Sequence, residues 1–399
     1  IEHNGDWGVY FRYAVTGPVL TGNIIIDNKR PMLVPATMMP NAGDNNVLLP
    51  NTYNTVMLLG QGLSRDLNLE VISQEGAQLN SYVVSGSLGV NSGYKLNLSP
   101  GVALKFLPGA ELWVSGELGS VGTASAPITY TSYADDSVGG DSNMDGYAST
   151  ATGGDWRGIR FNDAAPDNAS PMEYVSVRYA GESNIAGISY NSSHQRLAHA
   201  EVSNSAYRGI YSSSSNVSLE EVAVFANRQQ GVANSYGNIS ASGLRVFANG
   251  DHGLYSQRGS IVVDGGEIFA NGGQGAYAET STRLEAKDVW WGAADGAGGA
   301  AGGSGDEVNA NVTVSAARSD GTEFAYFNAG ANETSGTLAQ VIVEQGSAST
   351  EWGVRNAERF LFDLDSVSLR LKGLDDAKHY SLHVTYLNKD SASANCQDC

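Results

Sequence analysis

Residues 253–272 read GLYSQRGSIVVDGGEIFANG, and the fold turns on how that stretch divides. Three short β-prone runs, Leu254 to Ser256, Ser260 to Val263 and Glu267 to Phe269, are broken by Gly, Asn and Asp, and no helical periodicity runs through them. The stretch is also a repeat. VFANGDHGLYS at 246–256 returns as IFANGGQGAYA at 268–278, and IEHNGDWGVYF at 1–11 has the same cadence. Gly187, Gly209, Gly231, Gly253 and Gly275 lie 22 residues apart, as do Phe225, Phe247 and Phe269, each followed by Ala-Asn, with Trp291 one period later. A period of about 20–50 residues signals stacked repeats. Three strands and three turns per 22-residue coil predict a parallel β-helix with coils about 4.8 Å apart. A leucine-rich repeat has a similar period but needs a helix or a Leu-x-x-Leu-x-Leu frame, which is missing.

Stacking assigns roles to the letters. Side chains alternate in and out along a strand, so Ile188, Ile210, Val232, Leu254 and Ala276 form one aliphatic ladder inside the coil. The next positions, Ser189, Tyr211, Ala233, Tyr255 and Tyr277, point outward. Asn227, Asn249 and Asn271 suit a turn, where Asn tolerates positive φ and its amide reaches its copy one coil away. The Gly that follows is expected to make the bend.

Composition excludes several partners. The 399 residues carry 23 Lys and Arg against 42 Asp and Glu, a net charge of −19, which argues against nucleic acid and anionic membrane. No apolar run approaches the roughly 18 residues of a membrane span, so membrane insertion is not expected. Charged residues are only 16%, below the usual quarter or so, and Ser, Asn, Thr and Gly supply the polarity. Because the chain opens inside a repeat phrase, it reads as a piece of a longer polypeptide.

The 22-residue ladder, LSPGVALKFLPGAELWVSGELGSVGTASAPITYTSYADDS at 98–137 and DVWWGAADGAGGAAGGSGDEVNANV at 288–312 resemble the right-handed parallel β-helix repeat segments of bacterial secreted and cell-surface proteins, in the pectate-lyase-like superfamily. The resemblance spans roughly residues 80–315. It implies an all-β, right-handed parallel β-helix and an extracellular or bacterial cell-surface location. It leaves activity open, because that superfamily holds lyases, hydrolases, epimerases, adhesins and passive stalks.

The expected organisation is the end of a preceding coil at 1–16, a proline-containing irregular insert or coils at 17–80, the regular β-helix at 81–315, and the start of another module at 316–399. Five of the ten prolines fall in the second segment. In the last, ERFLFDLDSVSLRLKGLDDAKHYSLHVTYLNKD at 358–390 alternates apolar and polar residues and resembles the opening strands of a β-sandwich-like, carbohydrate-binding-type domain.

The leading site candidate is DDSVGGDSNMDGYASTATGGDW at 135–156. Asp141, Asn143, Asp145 and Gly146 match the first half of a calcium loop, in which oxygen donors at alternate positions converge on a hard cation. Thr152 stands where an EF-hand has Glu, so Asp135, Asp136 or Asp155 must supply the remaining carboxylate. Similar loops in the resembling segments are taken to bind calcium. An Asx-rich surface turn shows the same letters without a metal; crowding of like charges favours the cation, in a structural role.

For chemistry, a β-helix polysaccharide lyase needs a calcium-bound uronate beside an Arg, Lys or His base. Arg228 and His252 are the candidates, with Arg208 and Arg258 on neighbouring turns. Yet Arg208, Gln230 and Gln274 stand in phase with His252, a mixed polar column that a solvated turn shows equally. Tyr211, Tyr255 and Tyr277 form a candidate strip for sugar contact, although cross-coil packing alone favours such a pairing. Trp290 and Trp291 are expected to cap the helix end. Cys396 and Cys399 are the only cysteines; half of a metal site needs ligands this chain lacks and a redox site needs a thioredoxin-like βαβ context that is absent, so the expectation is a local Cys396–Cys399 disulfide or partners beyond this chain.

The expectation is therefore a non-catalytic secreted or cell-surface scaffold or adhesin, calcium-stabilised, meeting polysaccharide or another surface protein and compatible with self-association. The alternative is a polysaccharide lyase or related carbohydrate-active enzyme acting on acidic polysaccharide.

Overall fold

The computed structural model describes residues 1–11, 13, 20–146, 148–280 and 282–319, and six strands between 326 and 372. The chain winds into a parallel β-helix of about 12 turns, its strands joined in one 26-stranded sheet. In the coil that starts at Leu254, the three expected runs fall on three separate ladders. Leu254 pairs with Val232 and Ala276, Ile261 with Ile239 and Leu284, and Glu267 with Arg245 and Trp290. These stacks are called ladders A, B and C in the order the chain visits them.

Alternation fills the interior. Ile188, Ile210, Val232, Leu254 and Ala276 of ladder A are fully buried, as are Ile261 and Val263 of ladder B and Val224, Val246 and Ile268 of ladder C. Burying such side chains supplies the main driving force, about 25 cal/mol per Å². Residues 20–80 carry further coils: Arg30–Pro35 pairs with Trp7–Tyr10 on one side and with Thr55–Leu59 on the other.

The expected short strands merge in places. Val232–Phe247 and Leu254–Phe269 each run 16 residues, because coil-to-coil bonding persists around the corners. At those corners Gly237 and Gly259 adopt φ of 95° and 101°. A Cβ there would lie 2.1 Å from the carbonyl oxygen of the coil before, Ser215 or Gly237 respectively, so no other residue fits.

The Asn column is a ladder of side-chain hydrogen bonds. Nδ2 of Asn227 donates to Oδ1 of Asn249 at 2.9 Å, Nδ2 of Asn249 to Oδ1 of Asn271 at 3.0 Å, and Nδ2 of Asn271 to Oδ2 of Asp306 at 3.0 Å. Each backbone N–H donates to the same acceptor. A second asparagine column joins Asn4, Asn28 and Asn51: Nδ2 of Asn4 donates to Oδ1 of Asn28, and the backbone N–H of Asn28 donates to Oδ1 of Asn51. Two expectations are corrected. The positive φ belongs to Ala226, Ala248 and Ala270, not to the Asn that follows. The recurring Gly serves close approach rather than a bend: a Cβ on Gly231 would sit 2.6 Å from Val246 Cγ1 and 2.7 Å from Asn249 Nδ2. Outside ladder C, Phe225, Phe247 and Phe269 stack with ring centroids 4.9 and 5.1 Å apart.

Trp291 also departs from its expected place. Trp290 pairs with Glu267, 23 residues earlier, so Trp291 comes into line with Ile268 and is fully buried in the core. One extra residue in the coil shifts the register by a step, which moves a side chain from one face to the other. The coils continue past it to Val312–Ser315, which pairs with residues 284–287.

Two compact units are present, residues 1–144 with 151–322, and residues 145–150 with 323–399. In the second, Tyr326–Asn328 pairs antiparallel with Glu333–Ser335, Gln340–Gln345 with Ser368–Lys372, and Ser347–Trp352 with Arg359–Phe362. Cys396 and Cys399 lie outside the described residues. No helix among the described residues is long and apolar enough to cross a membrane.

Asn249→Ala removes the acceptor of both Asn227 N–H contacts, leaving the buried Asn227 amide only its bond to Val202 O, so unfolding free energy in urea should fall by about 2–4 kcal/mol. An unchanged transition would refute a structural role for the ladder. Burial raises the Asp306 carboxyl above the ordinary aspartate range, against the pull of the two Asn271 hydrogen bonds. Folding then favours its protonated form, so that stabilisation is present at acid pH and is lost as pH rises through the raised value. Asp306→Asn keeps both acceptor contacts without the charge. Its stability advantage over the natural chain should grow between about pH 4 and pH 8; an advantage that shrinks over that range contradicts the assignment.

Candidate functional site

Outside ladder A, the strands and the turns before them bring together the polar column seen in the sequence. Tyr255 and Tyr277 stack with centroids 5.8 Å apart and planes within 9°, and the His252 ring lies 4.9 Å from Tyr277 and 6.0 Å from Tyr255. Parallel rings stacked from coil to coil face one another, so edges and hydroxyl groups are what they offer outward. The Arg208 guanidinium lies 4.9 and 5.0 Å from the rings of Tyr207 and Tyr211, a cation–π arrangement.

The polar groups of this column are joined across coils. Arg208 Nε donates to Gln230 Oε1 at 2.8 Å, and Gln230 Nε2 donates to Asp251. The Tyr255 hydroxyl donates to Glu279 Oε1 at 2.5 Å. Burial first, and the neighbouring Glu279 carboxylate second, push this phenol up to about 12. His252 Nδ1 accepts the backbone N–H of Gln274 at 3.0 Å. The neutral ring therefore carries its proton on Nε2, 3.7 Å from Asp251 Oδ1. His194 does the same one face away, its Nδ1 accepting the N–H of Asn216 at 2.7 Å.

Arg228 is exposed, and among the described residues no hydrogen bond or ion pair joins it to His252. Arg258 lies over the Tyr236 ring, 5.1 Å from its centroid, and donates to its hydroxyl.

The acidic loop belongs to a different face. It is an insertion between Ile128–Ser132 of ladder C and Ile159–Phe161 of ladder A, and it lies over the outside of ladder C. Beneath it Lys105, outward between the inward Leu104 and Phe106, is completely buried, and its Nζ donates to Gly140 O at 2.7 Å. Burial lowers this ammonium to about 8, while Asp136, Asp135 and Asp141 hold it up. The Ser81 and Ser142 hydroxyls meet at 3.0 Å.

The expected ligand residues divide. Asp135 is buried and receives Arg178 Nε at 2.9 Å, Thr131 Oγ1 at 2.5 Å and Ser137 Oγ at 2.6 Å. Asp136 and Asp141 each place a carboxylate oxygen within 4.8 Å of the other, and Asn143 is half-buried nearby in the chain. Asp145 accepts the N–H groups of Ala148 and Ser149, both at 2.9 Å. Asp155 accepts Ser132 Oγ at 2.7 Å and Thr152 N and Oγ1 at 2.9 and 2.7 Å, a turn-capping role.

Sequence reasoning missed Lys105 and Arg178. Both look like ordinary outward residues of strands, and only the loop that folds over them, some 30 residues from Lys105 in the chain, makes Lys105 a buried and Arg178 a part-buried counter-charge. They also alter the charge argument. Two cations, Lys105 and Arg178, face this group of carboxylates.

No protein-family model matches the chain, and no curated protein matches it. Among solved structures it is similar to crystal structures of the periplasmic alginate epimerase AlgG. A double mutant aligns over 66% of this chain and 76% of that chain at 12% identity, with a TM-score of 0.36. A single mutant aligns over 74% and 78% at 10% identity, with a TM-score of 0.30.

Arg178→Met would leave the Asp135 carboxylate buried without its cation. Because Arg178 is itself 23% exposed, the loss should fall short of that of a fully buried pair, and urea unfolding of the variant should show about 1.5–3 kcal/mol, the worth of hydrogen bonds to a charged group. A loss below about 1 kcal/mol, typical of exposed pairs, would mean that the loop does not shield the pair in solution.

Proposed function

We propose that the chain is a non-catalytic scaffold of a secreted or cell-surface protein, meeting polysaccharide or another surface protein through its ladder faces and braced by a calcium-binding loop. One observation carries the non-catalytic reading. The lone pair that would make neutral His252 a base at Nδ1 is taken by the Gln274 N–H, a coil-to-coil bond. Around it Arg208, Gln230, Asp251, Tyr255 and Glu279 are tied to one another in the same manner, as befits a reinforced surface.

Polysaccharide suits ladder A through hydrogen bonding. The tyrosine edges, Arg208 and the Glu279 carboxylate offer donors and acceptors to sugar hydroxyls, while the ring faces of Tyr255, Tyr277 and His252 are turned to each other. For calcium, Asp136 and Asp141 provide hard oxygen donors within 4.8 Å of each other on the outside of ladder C, and Asn143, two residues after Asp141, adds a further oxygen donor.

Incubation with acidic polysaccharides and calcium should release no unsaturated product by ultraviolet absorbance. Release that is lost on His252→Ala or Arg228→Ala would establish the lyase alternative instead. A ligand that binds only the folded chain raises stability, by about 2.7 kcal/mol at a hundredfold excess over Kd. Chelator should therefore lower the melting midpoint of the natural chain and leave that of Asp136→Asn/Asp141→Asn unmoved; a natural midpoint indifferent to chelator rejects the calcium brace.

A further inference from the structure

The interior of ladder A is not apolar throughout. Two residues beyond the aliphatic column, the pairing register brings Tyr190, Ser212, Asn234 and Ser256 into line, followed by Ala278. All four polar residues are fully buried. The Tyr190 hydroxyl, Ser212 Oγ, Asn234 Oδ1 and Ser256 Oγ have no hydrogen-bond partner among the described residues. Asn234 Nδ2 is engaged, donating to Gly237 O and to Ser260 O at 3.1 Å each, and this fixes Oδ1 as the unpartnered end of the amide.

Buried polar atoms without partners are rare because desolvation is costly. Here they fall on successive coils of one column. Aliphatic residues occupy the parallel column two positions earlier, so the backbone geometry does not impose the choice. Register neighbours stand about 4.8 Å apart, too far for a direct hydrogen bond. That separation is what one water spans when it makes two bonds of about 2.8 Å at an open angle. An amide oxygen has two lone pairs and can accept from a water on either side, and each serine hydroxyl can donate or accept.

We propose that the Ser212–Asn234–Ser256 column is a water-binding site inside the β-helix. One ordered water bridges Ser212 Oγ to Asn234 Oδ1, and a second bridges Asn234 Oδ1 to Ser256 Oγ. Tyr190 bounds the file on one side and Ala278 on the other. The column is thus a hydrated counterpart of the Asn227–Asn249–Asn271 ladder, in which amides bridge the coils directly. It is independent of the scaffold reading and holds whether or not the chain is an enzyme.

The test combines diffraction with two mild substitutions in the full chain. Crystals diffracting to better than about 1.5 Å should show a density peak within hydrogen-bond distance of both Ser212 Oγ and Asn234 Oδ1, and another between Asn234 Oδ1 and Ser256 Oγ. Empty density at both places overturns the proposal. In solution, Ser212→Ala and Ser256→Ala each remove one hydroxyl from the column and keep its other members. If water bridges the column, both variants melt several degrees lower than the natural chain. If the column is dry, each removes an unpartnered polar atom and melts at the same temperature or higher, which overturns the proposal.

Discussion

Every coil of this chain is hydrogen-bonded to the next through in-register parallel strands, and for five successive coils the step is 22 residues. That constraint makes each position meet its own copy. Whatever residue is written at a position must therefore suit a stack of itself, and the repeated letters are those that stack well. Aliphatic residues pack into continuous interior columns, phenylalanines stack as parallel rings, and asparagine is favoured because its amide is at once donor and acceptor. An aspartate copied through the same column would repel its neighbours; at Asp306 it occurs once, at the end of the ladder, where a single acceptor suffices and burial raises its pKa.

The same constraint explains the glycines. Gly209 and Gly231 lie where the interior Val of ladder C and the Asn amide converge, leaving no room for a Cβ. The left-handed residue in that region is the alanine between Phe and Asn. Repetition in sequence marks both positions as special, but it does not say which property of the residue is in demand. Small size and tolerance of positive φ leave the same trace in a repeat.

Much of the fold was legible for this reason. A period of 22 with three β-prone runs specifies three ladders, and the residues named for the interior column are buried in register. Legibility failed where the period changes. The extra residue before Trp291 was invisible to a count of 22, and it carries that side chain from an outward phenylalanine column into the core. The residues at 20–80 hid their coils because their period drifts: Asn4, Asn28 and Asn51 are separated by 24 and 23 residues. The candidate sites were less legible still. His252 reads as chemistry, and only the coordinates reveal that its lone pair closes a coil-to-coil bond. Lys105 and Arg178 read as solvent-facing, and only a long insertion, whose path no local pattern encodes, buries the first and partly covers the second.

Function in such a molecule is sought where a residue breaks with its column. Asp251 and His252 depart from the glutamine and glycine around them, yet both are reabsorbed into cross-coil bonding. The acidic loop is not reabsorbed in this way. It is an insertion with no copy above or below, so no ladder satisfies its carboxylates, and its charge must be met by what it lies on. Lys105 and Arg178 meet part of that charge, at the cost of burying Lys105 completely beneath the loop. Lys105 keeps its charge inside the fold only while the loop covers ladder C, so the insertion and the stack beneath it depend on each other.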